Sequence, residues 1–294
     1  MLYSKNAKVY VAARSEERVN EAIKDIKKLV PNSTGGLVFM KLDLSDLKGV
    51  KASAEFFLAR ETKLNVLYNN AGVMSVADGK TSAQGFEIHL GVNVIAPFLL
   101  TRLLTPILIS TAKSEPAGST RVIWTSSFGT EAAGEESVGL SVNDLVAHSK
   151  KSSGVRYAQS KAGTWLHGAE FAKRFRADGI ASVPLNPGNL ASDLIREQPG
   201  FLQRLLKLLI LYPPVYGAYT LLYAGLSKDI TMENSGTWGM YPTTRRRKKT
   251  DALFQSCHGV VSTQYERTWL LQRRQRKKGA TATRWNSGHG LNYK

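Results

Sequence analysis

The sequence predicts an α/β protein built on a doubly wound parallel sheet. Short apolar runs rich in β-branched residues alternate with helical stretches along most of the chain, which is the pattern of parallel strands joined by crossover helices. The 294 residues are 43% hydrophobic, enough to bury a sizeable core. Polar and small residues follow the strand ends, where sheets of this kind bind their ligands.

The elements can be assigned in order from the N-terminus. Lys8 to Ala13 form a predicted strand, and Ser15 is the predicted N-cap of the following helix because Glu16 and Glu17 occupy its first turn. The same alternation continues to about residue 185, with an irregular stretch over 126–151. Further predicted strands are 37–42, 64–68, 121–125 and 180–185, and predicted helices are 16–29, 46–61, 92–112 and 157–177.

Charge divides the chain into two parts. The net charge is +17, but residues 241–294 hold 13 basic and two acidic residues, which is +11 and leaves +6 for residues 1–240. The runs TRRRKK and RRQRKK lie in this C-terminal part without sustained apolar periodicity, which is typical of a poorly ordered segment. We expect a globular domain in 1–240 and a disordered basic tail in 241–294. Nucleic-acid binding and nuclear targeting by the tail are disfavoured alternatives, because they rest on charge alone.

Composition also excludes several classes of protein. Cys257 is the single cysteine, so neither an intramolecular disulfide nor a cysteine-rich metal site can form, and we expect no metal. The N-terminus lacks the apolar stretch of a signal peptide. The most apolar stretch, 201–226, is interrupted by Arg204, Lys207 and two prolines, so we expect no membrane span. These features predict a cytoplasmic protein.

Tyr157 and Lys161 form the first candidate catalytic pair. A spacing of four places both on one face of the predicted helix. A tyrosine hydroxyl titrates near 10, so acid–base work at neutral pH requires a nearby cation that lowers its pKa. The same spacing also arises by chance, as Tyr10 with Arg14 shows, so a surface pair is the alternative interpretation.

Three other polar residues could serve the same chemistry. Ser127 follows the strand 121–125 and could bind a substrate oxygen, although a turn serine is the commoner role. Asn93 lies on the long helix 92–112, where an asparagine often serves packing alone. Asn70 belongs to the NNAG sequence after a strand, which is also compatible with a simple turn.

The order and intervals of these motifs resemble the short-chain dehydrogenase/reductase family over about residues 2–235, especially fungal and retinol-dehydrogenase-like members. The motifs are NNAG (69–72), Asn93 in GVNV, Ser126-Ser127, YAQSK (157–161) and Pro187-Gly188. The resemblance implies a Rossmann-type fold and Tyr157 as the acid–base residue. It also implies that Lys161 lowers the pKa of Tyr157 and holds the nicotinamide ribose, Ser127 orients the substrate, and Asn93 maintains a proton-relay water.

The resemblance implies hydride transfer between a nicotinamide cofactor and a carbonyl or alcohol on a small, lipophilic substrate, and homo-oligomers. Arg14 follows the family's second strand, where an acidic residue would bind the ribose of NAD, so it favours NADP over NAD; a capping role for Arg14 is the alternative. Further cofactor contacts implied by the family are Asp43, Asn70 and Arg102, with Pro187, Leu190 and Ser192 in the segment that closes over nicotinamide.

Two departures from the family pattern lie at the ends of the resemblance. No counterpart of the family's TGxxxGIG loop, whose backbone amides approach a pyrophosphate, precedes Lys8. We therefore expect a Rossmann-type sheet without its first strand, divided into two half-sheets, and hypothesise an incomplete gene model. Resemblance also fades after Gly236. An inactive remnant or interaction protein without a working cofactor site is the alternative function.

Overall fold

The computed structural model describes residues 1–135, 139–141, 145–191 and 211–237. The predicted cofactor residue Ser192, residues 201–210 of the apolar stretch and the basic tail 241–294 lie outside these ranges.

The described residues form five strands, eight helices and two short turns. The strands are β1 (Lys8–Ala13), β2 (Gly36–Lys41), β3 (Val66–Asn69), β4 (Thr120–Thr125) and β5 (Ile180–Leu185). The helices are α1 (Glu16–Leu29), α2 (Leu47–Leu58), α3 (Ile88–Leu90), α4 (Ala96–Ser114), α5 (Gly129–Ala133), α6 (Leu145–Lys150), α7 (Ser153–Phe175) and α8 (Pro214–Leu226). A 3₁₀ turn (Tyr3–Lys5) precedes β1, and a π-helical turn (Gly91–Ile95) joins α3 to α4.

Helix α1 begins after its predicted cap, Ser15, whereas the predicted helix 92–112 is divided into the π-helical turn Gly91–Ile95 and α4. Ser15 Oγ accepts a hydrogen bond from the Arg18 amide at 3.4 Å, and Asp46 Oδ1 caps α2 through the Lys48 amide at 3.0 Å. Helix α7, however, begins four residues before its predicted start, so Tyr157 lies in its second turn. Ser153 and Gly154 suggest a loop by composition, but a first turn tolerates them because its amides need no intrahelical partner.

The stretch 126–151, predicted to be irregular, contains the short helices α5 and α6. Both are five or six residues long, too short to show an amphipathic period, and their Gly, Ser and Glu content hides them in the sequence.

All strand pairings are parallel, in two separate sheets. β1 pairs with β2, with Lys8 opposite Gly36, and β4 lies between β3 and β5, with Thr120 opposite Ile180. In the described residues β1 and β3 are not hydrogen-bonded to each other. The division into half-sheets expected from the sequence is therefore observed.

The core is deepest around β4 and β5, in which every residue is buried. Trp124, Leu108, Phe171 and Ile180 form one cluster there, where α4 and α7 pack on the strands. The helical stretch Ile88–Ser114 is long and apolar enough to cross a bilayer, but 61% of its apolar window is buried inside the fold. Its hydropathy is thus explained by packing on the sheet.

Arg121 of β4 fastens α8 to the larger sheet. Its buried guanidinium donates to the carbonyl oxygens of Gly118, Ala224, Ser227 and Ile230 at 2.8–3.1 Å. The bonds to Ala224 and Ser227 satisfy carbonyls at the C-terminal end of α8, which otherwise have no helical partner. The opposite part of α8 can therefore line the site described next.

Candidate active site

The carboxyl ends of the strands surround a cavity of about 1130 Å³ that draws residues from both sheets. It brings together eight of the eleven residues that the sequence singled out. These are Arg14, Asp43, Asn70, Ser127, Tyr157, Lys161, Pro187 and Leu190. The location agrees with the general rule that open parallel sheets bind ligands at this edge.

Tyr157 and Ser127 meet at the larger-sheet end of the cavity. Helix α7 carries Tyr157, and Ser127 lies two residues after β4; both residues line the cavity. Ser127 Oγ accepts a hydrogen bond from the Gly129 amide at 3.1 Å, which fixes its rotamer. Burial raises the pKa of Tyr157 above 10.0, and the nearby Ser127 hydroxyl partly offsets this rise.

Lys161 lies one turn further along α7 and is buried. Its Nζ donates to the Thr125 carbonyl at 2.8 Å and lies 5.9 Å from the centroid of the Tyr157 ring. Desolvation lowers the pKa of Lys161 from 10.5 to about 8. The expected lowering of the Tyr157 pKa by Lys161 is not found, because the ammonium is directed at the carbonyl and burial dominates at the phenol.

Asn93 does not line the cavity, and its hydrogen bonds connect the segments that do. Its Nδ2 donates to the Val73 carbonyl and to Ser160 Oγ, both at 2.9 Å, and its Oδ1 accepts from the Val73 amide at 2.8 Å. The Asn93 carbonyl accepts from Thr164 Oγ1 at 3.0 Å. Asn93 thereby ties the segment after β3 to α7.

Gly72 explains why the NNAG sequence ends in glycine. A Cβ atom at this position would lie 2.9 Å from Asn93 Oδ1 and 3.3 Å from Lys161 Nζ. Both neighbours are held by their own hydrogen bonds, so a larger residue would displace the lysine or the asparagine. The close approach of this backbone keeps the floor of the cavity open beside Lys161.

The other end of the cavity, at the smaller sheet, carries positive charge. Arg14 is exposed at the rim, and Lys41 Nζ donates to the Arg14 carbonyl at 2.7 Å, which places a second cation beside it. Sequence reasoning missed Lys41, although its position as the last residue of β2 was the available signal. Asp43 accepts from the Ser45 amide at 2.9 Å and from Ser45 Oγ at 2.7 Å.

The remaining predicted residues have different surroundings. Arg102 is exposed on α4 and is not among the described residues that line the cavity. Ser126, next to Ser127, also lines the cavity, and its Oγ donates to the Lys161 carbonyl at 2.7 Å. Asn70 Oδ1 accepts from Thr125 Oγ1 at 3.3 Å. No group of three or more His, Cys, Asp or Glu suited to a metal ion occurs within the described ranges.

A smaller chamber of about 370 Å³ adjoins Tyr157. Its walls are Met74, Ser75, Val76, Ala77, Ser153, Gly154 and Tyr157. The first four follow β3, and the last three belong to the first two turns of α7. Their side chains are small or apolar except for the Tyr157 and serine hydroxyls. The sequence did not single out this chamber, because its walls are 76 or more residues apart along the chain.

Comparisons with known proteins agree with this geometry. The family model for short chain dehydrogenases matches residues 1–139. The chain is 52% identical over 244 residues to the short-chain dehydrogenase/reductase sthC of Phaeosphaeria nodorum, covering 82% of this chain and 77% of the relative. It is 49% identical over 249 residues to a short-chain dehydrogenase/reductase of Phomopsis amygdali, covering 82% and 74%. The chain belongs to the short-chain dehydrogenase/reductase family and is an oxidoreductase.

Solved structures support the fold. The NADPH-bound carbonyl reductase from chicken fatty liver superposes with a TM-score of 0.55 at 20% identity, over 79% of this chain and 84% of that chain. The 3-oxoacyl-[acyl-carrier protein] reductase of Brucella melitensis in complex with NAD gives a TM-score of 0.59 at 19% identity, over 81% and 86%. These similarities show the Rossmann-type α/β fold.

Proposed function

We propose that this protein is an NADP-dependent oxidoreductase that interconverts a carbonyl and an alcohol on a small, lipophilic substrate. The observation that carries the proposal is the placement of Tyr157 and Ser127 in one cavity that also holds Lys161 and extends to Arg14. A proton donor, an orienting hydroxyl and two cationic contacts thus share one space.

The described residues fit the two ends of an extended dinucleotide. The cavity is as large as the larger ligand pockets of proteins, and it runs from the cationic rim of the smaller sheet to Tyr157 and Pro187 of the larger one. Arg14 and Lys41 would hold a 2′-phosphate, Lys161 the nicotinamide ribose, and Pro187 and Leu190 the nicotinamide. When bound, such a cofactor supplies or accepts the hydride.

The chain's own residues handle the proton. In the direction of reduction, Ser127 donates a hydrogen bond to the substrate oxygen, and Tyr157 transfers its phenolic proton to that oxygen as the carbonyl becomes an alcohol. In oxidation Tyr157 takes the proton back. Lys161 would act on the cofactor side, because its ammonium is bound to the Thr125 carbonyl and burial dominates at the Tyr157 phenol.

The substrate class follows from the chamber beside Tyr157. Met74, Val76 and Ala77 offer apolar contacts, and its volume of about 370 Å³ suits a small molecule. The carbonyl of such a substrate would project from the chamber towards Tyr157 and Ser127. The similarity to a carbonyl reductase that binds NADPH supports the same reaction class.

The preference for NADP rests on the pair of cations at the rim. Arg14 offers a planar, multiply donating group that matches a phosphate, and Lys41 adds a second positive charge beside it. NAD remains the alternative cofactor, since similar structures bind either nucleotide.

The proposal is tested with the purified full-length chain. Binding of NADPH and NADH is measured from the fluorescence of the reduced nicotinamide, and turnover from its absorbance in the presence of a panel of lipophilic aldehydes and ketones. We expect tighter binding of NADPH and its oxidation only when a carbonyl substrate is present. Absence of binding of both nucleotides would contradict the proposal and favour the non-catalytic alternative.

A further inference from the structure

A buried cluster of charged side chains lies behind the chamber. The Glu87 carboxylate is shared by three basic groups: His89 Nδ1 at 2.7 Å, Arg156 Nε at 3.2 Å and His148 Nε2 at 3.3 Å. The side chain of Glu87 is 11% exposed, and those of its partners are between 0% and 6% exposed. None of the four is required by the acid–base chemistry proposed for Tyr157.

The cluster is connected to both walls of the chamber. On one side, His89 Nε2 lies 2.6 Å from the carbonyl oxygen of Met74. On the other side, Arg156 immediately precedes Tyr157 on α7, and the rings of His89 and Tyr157 meet edge to face at 6.5 Å between centroids. Glu87 therefore bridges the wall after β3 and the helix that carries the proton donor.

The protonation pattern is dictated by the partners. A carboxylate and a carbonyl are both acceptors, so the two bonds of His89 form together only when both of its ring nitrogens carry protons. Burial alone would raise the pKa of Glu87, but the nearby His148 ring, the bond to His89 and the bond from the Leu90 amide hold that pKa well below the ordinary value. Glu87 is thus an ionised anchor and not a proton donor.

The same two walls are also held at the chamber mouth. Ser153 Oγ lies 3.4 Å from the Val76 carbonyl, and Arg156 pairs with Asp78, whose side chain is 82% exposed. His148 contacts Gln159 of α7 through Nδ1 at 2.9 Å. A pair with one exposed partner and a long hydrogen bond contribute little, so the buried bond of His89 to the Met74 carbonyl dominates the spacing.

We propose that His89 is a positioning residue whose bond to the Met74 carbonyl fixes the Met74–Ala77 wall relative to Tyr157, so that a substrate carbonyl held by that wall reaches the phenol. The inference rests on the proposed function of Tyr157. Misplacement of a reacting group by up to about one ångström lowers rates steeply. The Met74 carbonyl is held by a buried imidazole, so the wall to which it belongs resists such movement.

A matched pair of variants isolates the contact to Met74. In His89→Gln the amide nitrogen reaches about the position of Nε2 and can still donate to the Met74 carbonyl. In His89→Asn it reaches about the position of Nδ1 and keeps only the contact to Glu87. Both variants lose the imidazole and one of its two bonds, so a role confined to core packing would affect them alike.

The first measurement, amide hydrogen exchange in the segment 73–78, does not depend on turnover. One hydrogen bond is worth about a two- to tenfold change in local opening. We expect exchange to accelerate by this factor in His89→Asn and to remain near that of the wild type in His89→Gln. Equal exchange in the two variants would overturn the inference.

The second measurement compares kcat/KM for a lipophilic carbonyl substrate with the dissociation constant of NADPH. We expect kcat/KM to fall about three- to tenfold in His89→Asn, and His89→Gln to recover most of it. NADPH affinity should stay unchanged in both variants. Unchanged kcat/KM in His89→Asn despite faster exchange would overturn the catalytic consequence, whereas absence of turnover in the wild type would contradict the proposed function itself.

Discussion

The two sheets of the molecule differ in how firmly they are embedded. Every residue of β4 in the three-stranded sheet is buried, and β4 is paired on both sides, whereas β1 in the two-stranded sheet is largely half-buried and paired on one side. Ser127 and Lys161 are attached to the first sheet, Ser127 by sequence and Lys161 through the Thr125 carbonyl. Arg14, Lys41 and Asp43 follow the strands of the second.

This difference in burial matches the positional precision that proton transfer and phosphate recognition each require. Proton transfer requires hydrogen-bond geometry at the reacting oxygen, so the groups that carry it benefit from a rigid support. Recognition of a phosphate by flexible cations at a solvent-exposed rim tolerates larger movement, because charge attraction falls off slowly with distance. In the proposed function, the larger sheet would therefore support proton transfer, and the smaller one the selection of the nucleotide.

The largest effect is expected from removal of the proton donor on the rigid side. Tyr157→Phe deletes one oxygen and should lower kcat by about 10²- to 10⁴-fold, the usual contribution of general acid–base catalysis. The affinity for NADPH should change little, because the phenol contributes only one contact. Steady-state kinetics and nucleotide fluorescence separate the two effects.

Tyr219→Phe is the matched control for Tyr157→Phe. Tyr219 is 42% exposed on α8 and does not line the described cavity, so the loss of its hydroxyl should leave kcat unchanged. A kcat of Tyr157→Phe within a few-fold of the control would remove Tyr157 from the proposed mechanism.

The same contrast explains what the sequence could predict. The regular periodicity of β4, β5 and α7 and the Tyr157–Lys161 spacing follow from local patterns, and the structure brings these residues to one cavity as predicted. The contact between Lys161 and the Thr125 carbonyl is not encoded locally, because it joins residues 36 positions apart. The Tyr157 pKa differs from the prediction as well, because burial of the phenol in the folded chain raises it.

Other features needed the folded chain to become visible. The buried cluster of Glu87, His89, His148 and Arg156 spans three elements, and each member alone resembles an ordinary polar residue of a helix. Lys41 gained a role only when the pairing of β1 with β2 placed it beside Arg14. Arg102 shows the reverse, since resemblance suggested a cofactor contact and the structure places it on an exposed helix face.

A second prediction concerns the cost of burying the Lys161 ammonium in the larger sheet. Its folded pKa of about 8 lies below the ordinary 10.5, so between these values the unfolded chain binds more protons and the free energy of unfolding rises with pH. The total gain is about 3 kcal/mol. The free energy of unfolding is measured by denaturant titration from pH 7 to 10 for the wild type and for Lys161→Met. The difference between the two proteins should show this rise.

Lys173→Met is the control for the pH experiment, because Lys173 is exposed on the same helix. The difference between wild type and this variant should have almost no pH dependence over the same range. A flat difference for Lys161→Met as well would mean that the Lys161 ammonium is not desolvated in the folded protein.

The cationic rim of the smaller sheet gives the third prediction. Arg14→Glu replaces an attraction for the 2′-phosphate by a repulsion and should weaken NADPH binding about 10- to 100-fold, since charged hydrogen bonds contribute about 1.5–3 kcal/mol. NADH binding should change little. The ratio of the two dissociation constants is the measurement, with Lys24→Glu on the exposed face of α1 as the charge-matched control. An equal loss for both nucleotides would contradict a phosphate contact.

The smallest effect concerns the free space around the first turn of α7, which lines the chamber. Gly154 lies in the first turn of α7 and a Cβ there meets nothing within 4 Å, whereas at Gly163 of the same helix it would approach Leu140 Cδ2 to 2.9 Å. Gly154→Ala should therefore stabilise the protein by about 0.5–1 kcal/mol through helix propensity. Gly163→Ala should destabilise it by overpacking.

Thermal unfolding of the two alanine variants checks this opposition of sign. The same propensity gain applies at both positions, so the difference between them reports only the space around each Cβ. A loss of stability in Gly154→Ala would mean that the opening turn of α7 is packed and that the chamber beside Tyr157 is closed. A gain of stability in Gly154→Ala would mean that tight packing is limited to the interior of the larger sheet. The first turn of α7, which faces the chamber, would then have room for a ligand.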